Sequence, residues 1–336
     1  MKRRSTLVAG VTVVIAASLS IAACGGGSDT TSTASSAAPA SPFEYKDALG
    51  KTVSLPTTPA TVVAQSSVAA ALWDAGYHVA GAYGELKPDA HGKLSYQAGS
   101  LDLSKVKVIG STYGEFDTEK YALMNPQLLI DYTFDNKSLW YVPAAQSEKI
   151  LGLAPAIAVP GNYDTTDSAI QTFVDLAGKL GADPKSAELL QAKTSYDTAL
   201  KDVAAVAGSS SLKVVVMSPG KDSLYVAYPK YLPELTTLKK QGLDVMDPIK
   251  PDETVFTQYS WEKAPDFSDA DVILVDARTY EASKADLAKI PVWAHLPAVQ
   301  AGQVYPWYAA APYSYASYAK VYGELAGDLK NAKKLG

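Results

Sequence analysis

Along residues 42–162, short apolar runs alternate with stretches in which apolar positions recur every three or four residues. Thr61-Val-Val-Ala64 reads as a strand, and Val68-Ala-Ala-Ala-Leu-Trp-Asp-Ala75 as a helix stopped by Gly76. Val79-Ala-Gly-Ala82 and Val106-Lys-Val-Ile109 read as further strands. A helix over Thr118–Met124 halts at Asn125-Pro126, and Leu128-Leu-Ile130 follows it as a strand. Ser147–Leu151 continues the alternation and Ala156-Ile-Ala-Val159 closes it. Strands separated by helical segments predict parallel βαβ units. The pattern then changes. Residues 167–207 hold no strand-like run, and their apolar positions (Phe173, Leu176, Ala177, Leu180, then Leu190, Tyr196, Ala199, Leu200 and Val203) keep helical spacing. The second of these segments starts at Pro184, and about 20 helical residues make a rod of roughly 30 Å, long enough to join two lobes. Gly208-Ser-Ser-Ser211 ends the rod. Lys213-Val-Val-Val-Met217 and Asp271-Val-Ile-Leu-Val275 then predict buried strands of a second α/β lobe. The expected fold is α/β, with two Rossmann-like lobes joined by a single long helix.

The first residues form an address. Lys2, Arg3 and Arg4 precede an apolar stretch from Leu7 to Ala23, which has the build of an export signal and is marginal as a membrane span. Its end, Ile21-Ala-Ala-Cys24, resembles the bacterial lipobox, in which the cysteine is lipidated and becomes the mature N-terminus. The Gly/Ser/Thr/Ala-rich segment after Cys24 reads as a flexible tether. Expected boundaries are a signal over 1–23, a tether over 24–41, an N-terminal lobe over 42–162, a helical connection over 163–207 and a C-terminal lobe over 208–336. The protein is expected outside the cytoplasmic membrane, held there by the lipid on Cys24.

Composition narrows the chemistry. The chain has 336 residues, 30 Lys+Arg against 35 Asp+Glu, and loss of the signal would take the net charge from −5 to −8, which gives no reason to expect nucleic acid. One Cys makes no intramolecular disulfide. The three histidines, His78, His91 and His295, are dispersed, so direct capture of a metal ion is not expected. Twenty-one Tyr against six Phe is the unusual figure, because each Tyr brings a hydroxyl that Phe lacks. No nucleophile elbow, zinc-protease, P-loop or dinucleotide motif occurs in the body, and no catalytic role is expected.

Several stretches, in order, resemble the substrate-binding proteins of ABC importers for ferric siderophores and vitamin B12. Asp47-Ala-Leu-Gly-Lys-Thr-Val-Ser-Leu-Pro56 with Val62-Val63 resembles that family's opening hairpin and first strand. Val108–Ile130, through Met124-Asn-Pro-Gln-Leu128, resembles its loop–helix–strand segment. Ser260-Trp-Glu-Lys263 with Ala270-Asp-Val-Ile273 resembles the matching element of the second lobe, and Ile290–Tyr305, containing Leu296-Pro-Ala-Val299, resembles the family's ending. Ala60-Thr61 and Gln127 depart from its usual Arg and Asp. The resemblance implies the class III periplasmic-binding-protein fold, little hinge closure, and capture of a ligand for delivery to an importer. It also implies one exposed Glu per lobe that docks on the permease dimer, which falls at Glu119 and Glu262. A plain first-turn carboxylate favoured by the helix dipole is the alternative for both.

In such lobes ligands meet loops at the carboxyl ends of strands. That rule nominates Gln65, Tyr113, Glu115, Tyr132 and Phe134 from the first lobe. From the second it nominates Tyr225, Tyr228, Arg278, Tyr280, Trp307, Tyr308, Tyr313 and Tyr315. Tyr318 and Tyr322, one helical turn apart, fit core packing better. Arg278 is the only arginine after the signal, and its guanidinium offers a rigid fork of donors for hydroxamate or carboxylate oxygens. An ion pair with Asp276 or Glu281 is the alternative reading. A single Arg among acids (Glu115, Asp131, Asp276) suits a neutral or cationic ferric hydroxamate of ferrioxamine or ferrichrome type better than a multiply anionic catecholate or citrate complex. The alternative is the same fold binding cobalamin, haem or a catecholate or citrate siderophore, with a secreted enzyme as the distant one. Iron is expected only inside its chelator, with no resident cofactor, and the carrier is expected to act as a monomer.

Overall fold

The computed structural model of the chain describes residues 42–89 and 91–336, so Cys24 and the expected signal and tether lie outside the described residues. A hairpin opens the described chain: β1 (Phe43–Lys46) pairs antiparallel with β2 (Thr52–Leu55). The first lobe then alternates through β3 (Val62–Gln65), α1 (Ser66–Asp74), β4 (Gly81–Tyr83), β5 (Lys107–Val108), α2 (Thr118–Leu123), β6 (Leu128–Thr133), α3 (Ser147–Leu151) and β7 (Ala156–Pro160). Its sheet has the order β5-β4-β3-β6-β7, parallel throughout. Two helices follow, α4 (Thr166–Lys179) and α5 (Ala187–Ser210). Thr165 caps α4 and Ser186 caps α5 through side-chain oxygens. At 24 residues α5 is the long rod, about 36 Å at 1.5 Å per residue. It ends where Ser211 turns left-handed, at the predicted Gly-Ser-Ser-Ser stop.

The second lobe comprises β8 (Lys213–Pro219), β9 (Leu224–Ala227), α6 (Pro233–Lys240), β10 (Asp244–Val245), β11 (Phe256–Tyr259), β12 (Val272–Asp276), α7 (Tyr280–Leu287), α8 (Pro291–Ala294), α9 (Pro297–Gln300), β13 (Val304–Trp307) and α10 (Tyr315–Asn331). Its sheet runs β11-β9-β8-β12-β13, with β10 beside the start of β8. This sheet is mixed: β10, β12 and β13 are parallel to β8, whereas β9 and β11 form an antiparallel edge.

Strands covered on both faces read as unbroken apolar runs because neither face meets water. In β8, Val214 and Val216 point to one apolar cluster while Val215 and Met217 point to another. In β12, Val272 and Leu274 divide from Ile273 and Val275 in the same way. The first of these clusters is continuous through both lobes. It joins Val62, Ala64, Leu128 and Ile130 of the first sheet to Val214, Val216 and Leu274 of the second, by way of Phe173, Leu176, Tyr196 and Val203 on α4 and α5. Direct bonds reinforce this shared core. The Tyr96 hydroxyl donates to Ala309 O at 2.6 Å, Thr166 N donates to Thr237 Oγ1 at 2.9 Å, and Ser314 Oγ donates to Asp74. No helix among the described residues is long and apolar enough to cross a membrane.

Candidate ligand-binding cleft

The carboxyl ends of strands from both sheets face a common hollow. Residues after β3, β6 and β7 (Ser67, Phe134, Trp140, Tyr141, Gly161) line one side, and residues after β12 and β13 (Arg278, Ala309–Ala311, Tyr313), with Tyr231 and Glu234 from the segment that leads into and opens α6, line the other. Tyr132 and Trp307 complete a cavity of about 300 Å³, the lower end of the range for small-molecule sites. A larger hollow of about 730 Å³ lies between the first hairpin and the loop before α3, lined by Leu49, Tyr113 and Leu151. That hollow belongs to the first lobe alone, whereas the cleft is served by both lobes and holds the converging polar groups.

Aromatic rings form the cleft walls. Phe134 packs edge-on against Trp140 at 5.3 Å and tilts over Tyr132 at 5.8 Å. Its ring occupies the space a side chain at Gly161 would need, since a Cβ there would stand 2.1 Å from it. Tyr313 stacks on Phe173 at 6.3 Å and on Tyr318 at 5.7 Å, and Phe256 meets the Trp307 ring edge-on at 6.0 Å. The loop carrying Trp140 and Tyr141 is held by Asp131, which is wholly buried. Its Oδ1 accepts from Tyr132 N at 2.7 Å, and its Oδ2 accepts from Tyr141 N at 2.9 Å and Val142 N at 3.2 Å. Burial pushes the Asp131 carboxyl up to about 7, against the opposing pull of those amides.

Arg278, held from behind by Asp276, and one acid without an ion-pair partner occupy the cleft floor. Arg278 Nε donates to both oxygens of Asp276 at 2.9 and 3.1 Å, and Nη2 donates to Oδ2 at 2.6 Å. Asp276 is buried at the end of β12, while the Arg278 side chain stays 43% exposed and lines the cavity. The ion-pair alternative for Arg278 therefore holds together with its place on the cleft. Glu234 stands in the first turn of α6, 4% exposed, and burial pushes its carboxyl up to about 7, opposed by Trp307 and Arg278. Among the described residues its Oε2 and the Trp307 Nε1 have no hydrogen-bond partner at normal geometry, and the pull of the indole on the carboxyl comes from their closeness to each other.

Of the nominated residues, Tyr132, Phe134, Arg278, Trp307 and Tyr313 meet in this cleft. The others are placed elsewhere. Gln65 is fully buried, and its Oε1 caps α1 by accepting from Ser67 N and Val68 N. Tyr315 is buried against Tyr196 and Lys193, because the first turn of α10 turns it towards α5. Tyr308 packs on Tyr96 outside the cleft. Tyr225 lies within β9 in register with Gln258, and Tyr228 packs on Tyr231. Tyr280 lies under Lys284 on α7. Tyr113 and Glu115 belong to an exposed loop on the rim, where Glu115 accepts from Ser111 N. Tyr318 and Tyr322 are core residues. The reading of the sequence passed over Trp140, Tyr141, Tyr231, Phe256 and Glu234. Trp140 and Tyr141 carry a signal, an aromatic pair seven and eight residues past the end of β6, whereas Glu234 looks like any first-turn acid. Among the described residues no group of three or more His, Cys, Asp or Glu is placed to hold a metal ion.

Comparison with known proteins follows this geometry. A family model described as periplasmic binding protein matches residues 71–311. No curated protein matches the sequence. Among solved structures, DesE, a ferric-siderophore receptor protein from Streptomyces coelicolor, shares 36% identity at a TM-score of 0.80, over 88% of this chain and 100% of that one. FhuD from Vibrio cholerae, solved with Fe3+-Desferal, shares 19% at 0.58 over 81% and 98%. SirA from Staphylococcus aureus, solved with staphyloferrin B, shares 19% at 0.60 over 87% and 99%, and these two likenesses speak for the fold alone.

Proposed function

This chain belongs to the periplasmic binding protein family, and we propose that it captures a ferric siderophore of hydroxamate type and hands it to an ABC importer. Family membership carries an extracytoplasmic location. The likeness to DesE over nearly the whole chain supports the siderophore, and the charge of the cleft supports the hydroxamate class. That charge is the deciding observation. Among the described residues no lysine lines the cavity, and the one cation there is already matched by Asp276. A catecholate or citrate complex would bring several negative charges to a floor that offers no free positive one, and desolvating them would go uncompensated. A neutral or cationic hydroxamate complex instead meets aromatic faces and the exposed part of the Arg278 side chain. Iron enters and leaves as cargo inside its chelator.

Quenching of tryptophan fluorescence tests this, because Trp140 and Trp307 both line the cleft. Ferric hydroxamates are expected to quench at submicromolar concentration, and ferric citrate and catecholates only weakly. Tighter binding of the anionic complexes would overturn the hydroxamate assignment, and a Soret band in the loaded protein would replace it with haem. Arg278→Lys keeps a positive charge beside Asp276 but loses the fork, and is expected to weaken binding ~10-fold.

Delivery rests on Glu119 in the first turn of α2 and Glu262 in the opening turn of the Trp261–Phe267 helix, both exposed. Two carboxylates on separate lobes form a ruler for paired arginines on a two-fold permease. Glu119→Ala combined with Glu262→Ala is expected to abolish uptake and leave ligand affinity unchanged; transport at the wild-type rate would refute the assignment. The lipid anchor on Cys24 and monomeric action complete the reading.

A further inference from the structure

The acids of the cleft region differ in what they have left to offer a ligand. Glu115 is spent on its own loop, Asp131 on three backbone amides, and Asp276 on the guanidinium of Arg278. Glu234 alone among these four lines the cavity, is almost wholly buried, and has no ion-pair partner among the described residues: the neutral Trp307 indole pulls on its carboxyl, but Oε2 has no hydrogen bond of normal geometry. Its neighbours are the Trp307 indole and the hydroxyl-bearing rings of Tyr313, Tyr318 and Tyr322, none of them a cation. Arg278 faces it across the floor, already neutralised. A first-turn acid that served only the dipole of α6 would do so from the surface, where its other oxygen is hydrated. A buried polar atom left unpaired calls for an explanation, and its position on the cleft supplies one.

We propose that Glu234 is the charge selector of this cleft: its unmatched carboxylate favours ferric complexes of net positive charge over neutral ones, and neutral ones over anionic ones. This rests on the siderophore reading above and adds to it the sign of the cargo. The carboxylate need not touch the cationic group. One unit charge about 10 Å away, at the effective dielectric of a protein site, is sufficient for roughly a tenfold preference.

The test uses two complexes with the same iron core. Ferric desferrioxamine B carries a pendant ammonium, and its N-acetyl derivative is neutral. Both are titrated against the full chain at pH 8, with ferric citrate as the anionic arm. Wild-type protein is expected to bind the ammonium form ~10-fold more tightly than the acetylated form. Glu234→Gln, of the same shape without the charge, is expected to bind the two equally and to gain affinity for ferric citrate. Glu234→Leu, an apolar side chain of similar volume, is expected to do the same and guards against a folding effect of the amide. Equal affinities in the wild type, or a preference that survives in both variants, would overturn the selector while leaving the siderophore reading in place. Failure of every ferric complex to bind the wild type would overturn that reading and the selector with it.

Discussion

At the cleft floor, burial holds the carboxyl of Glu234 near 7, and the same cause holds Asp131 near 7 behind the opposite wall. Both values lie above those of the unfolded chain, about 4, so between roughly pH 4 and 8 the folded protein binds more protons than the unfolded one. The stabilising protonation is fully present at the acidic end and is lost as pH rises through 7. The acids held low, such as Asp102, Asp117 and Asp135, titrate below that window. Urea unfolding is therefore expected to show higher stability at pH 5.5 than at pH 8, with Glu234→Gln removing on the order of 2 kcal/mol of that difference. A flat profile across this window would mean that both carboxyls are better solvated than their surroundings indicate. Gly161 sets the seat of the Phe134 ring in the same cleft. Gly161→Ala must push the Phe134 ring off its seat, and is expected to weaken ligand binding several-fold with little loss of stability, as a titration beside a thermal melt would show.

Among the elements, the loop from β6 to α3 has most of the cleft's exposed aromatic surface and little regular structure. Trp140 N donates to Tyr132 O at 2.8 Å, and the Asp131 carboxylate ties down the next two amides. Asp131→Ala leaves three backbone N–H groups without an acceptor and is expected to cost about 2–4 kcal/mol, less than their sum because water reaches the loop. Hydrogen exchange should show the loss at Tyr141 and Val142 before it appears in the sheets, and ligand affinity should fall although Asp131 itself lies behind the cleft wall. Loss of protection spread evenly over the first lobe would point to a global role instead.

Taken whole, the molecule is two sheets fused through one apolar core, with α5 packed along α10 and aromatic rings bridging the lobes. Opening such a seam would expose Phe173, Tyr196, Tyr313 and Tyr322 to water, and each aromatic carries a large apolar area. Cargo is thus expected to enter a cleft already formed, and the radius of gyration in solution scattering should not change measurably on loading. A contraction of the kind that a flexible hinge produces would contradict this.

The alternation of strands and helices, the long connecting helix and its stop, and the place of Arg278 after a buried strand are all written along the chain. These are local properties: an apolar run, a 3.6-residue period or a capping residue acts over a few neighbours, so the chain displays it in order. The nominated Tyr132, Phe134, Trp307 and Tyr313 reached the cleft for the same reason, since strand ends point there. Only the tertiary structure decided that Gln65 caps a helix, that Tyr315 turns inward to α5, and that Asp276 takes the fork of Arg278. It also decided that an ordinary-looking glutamate at the start of α6 lies buried beside Trp307, 73 residues along the chain. Contacts of that kind depend on how whole elements pack, and no window of sequence contains both partners.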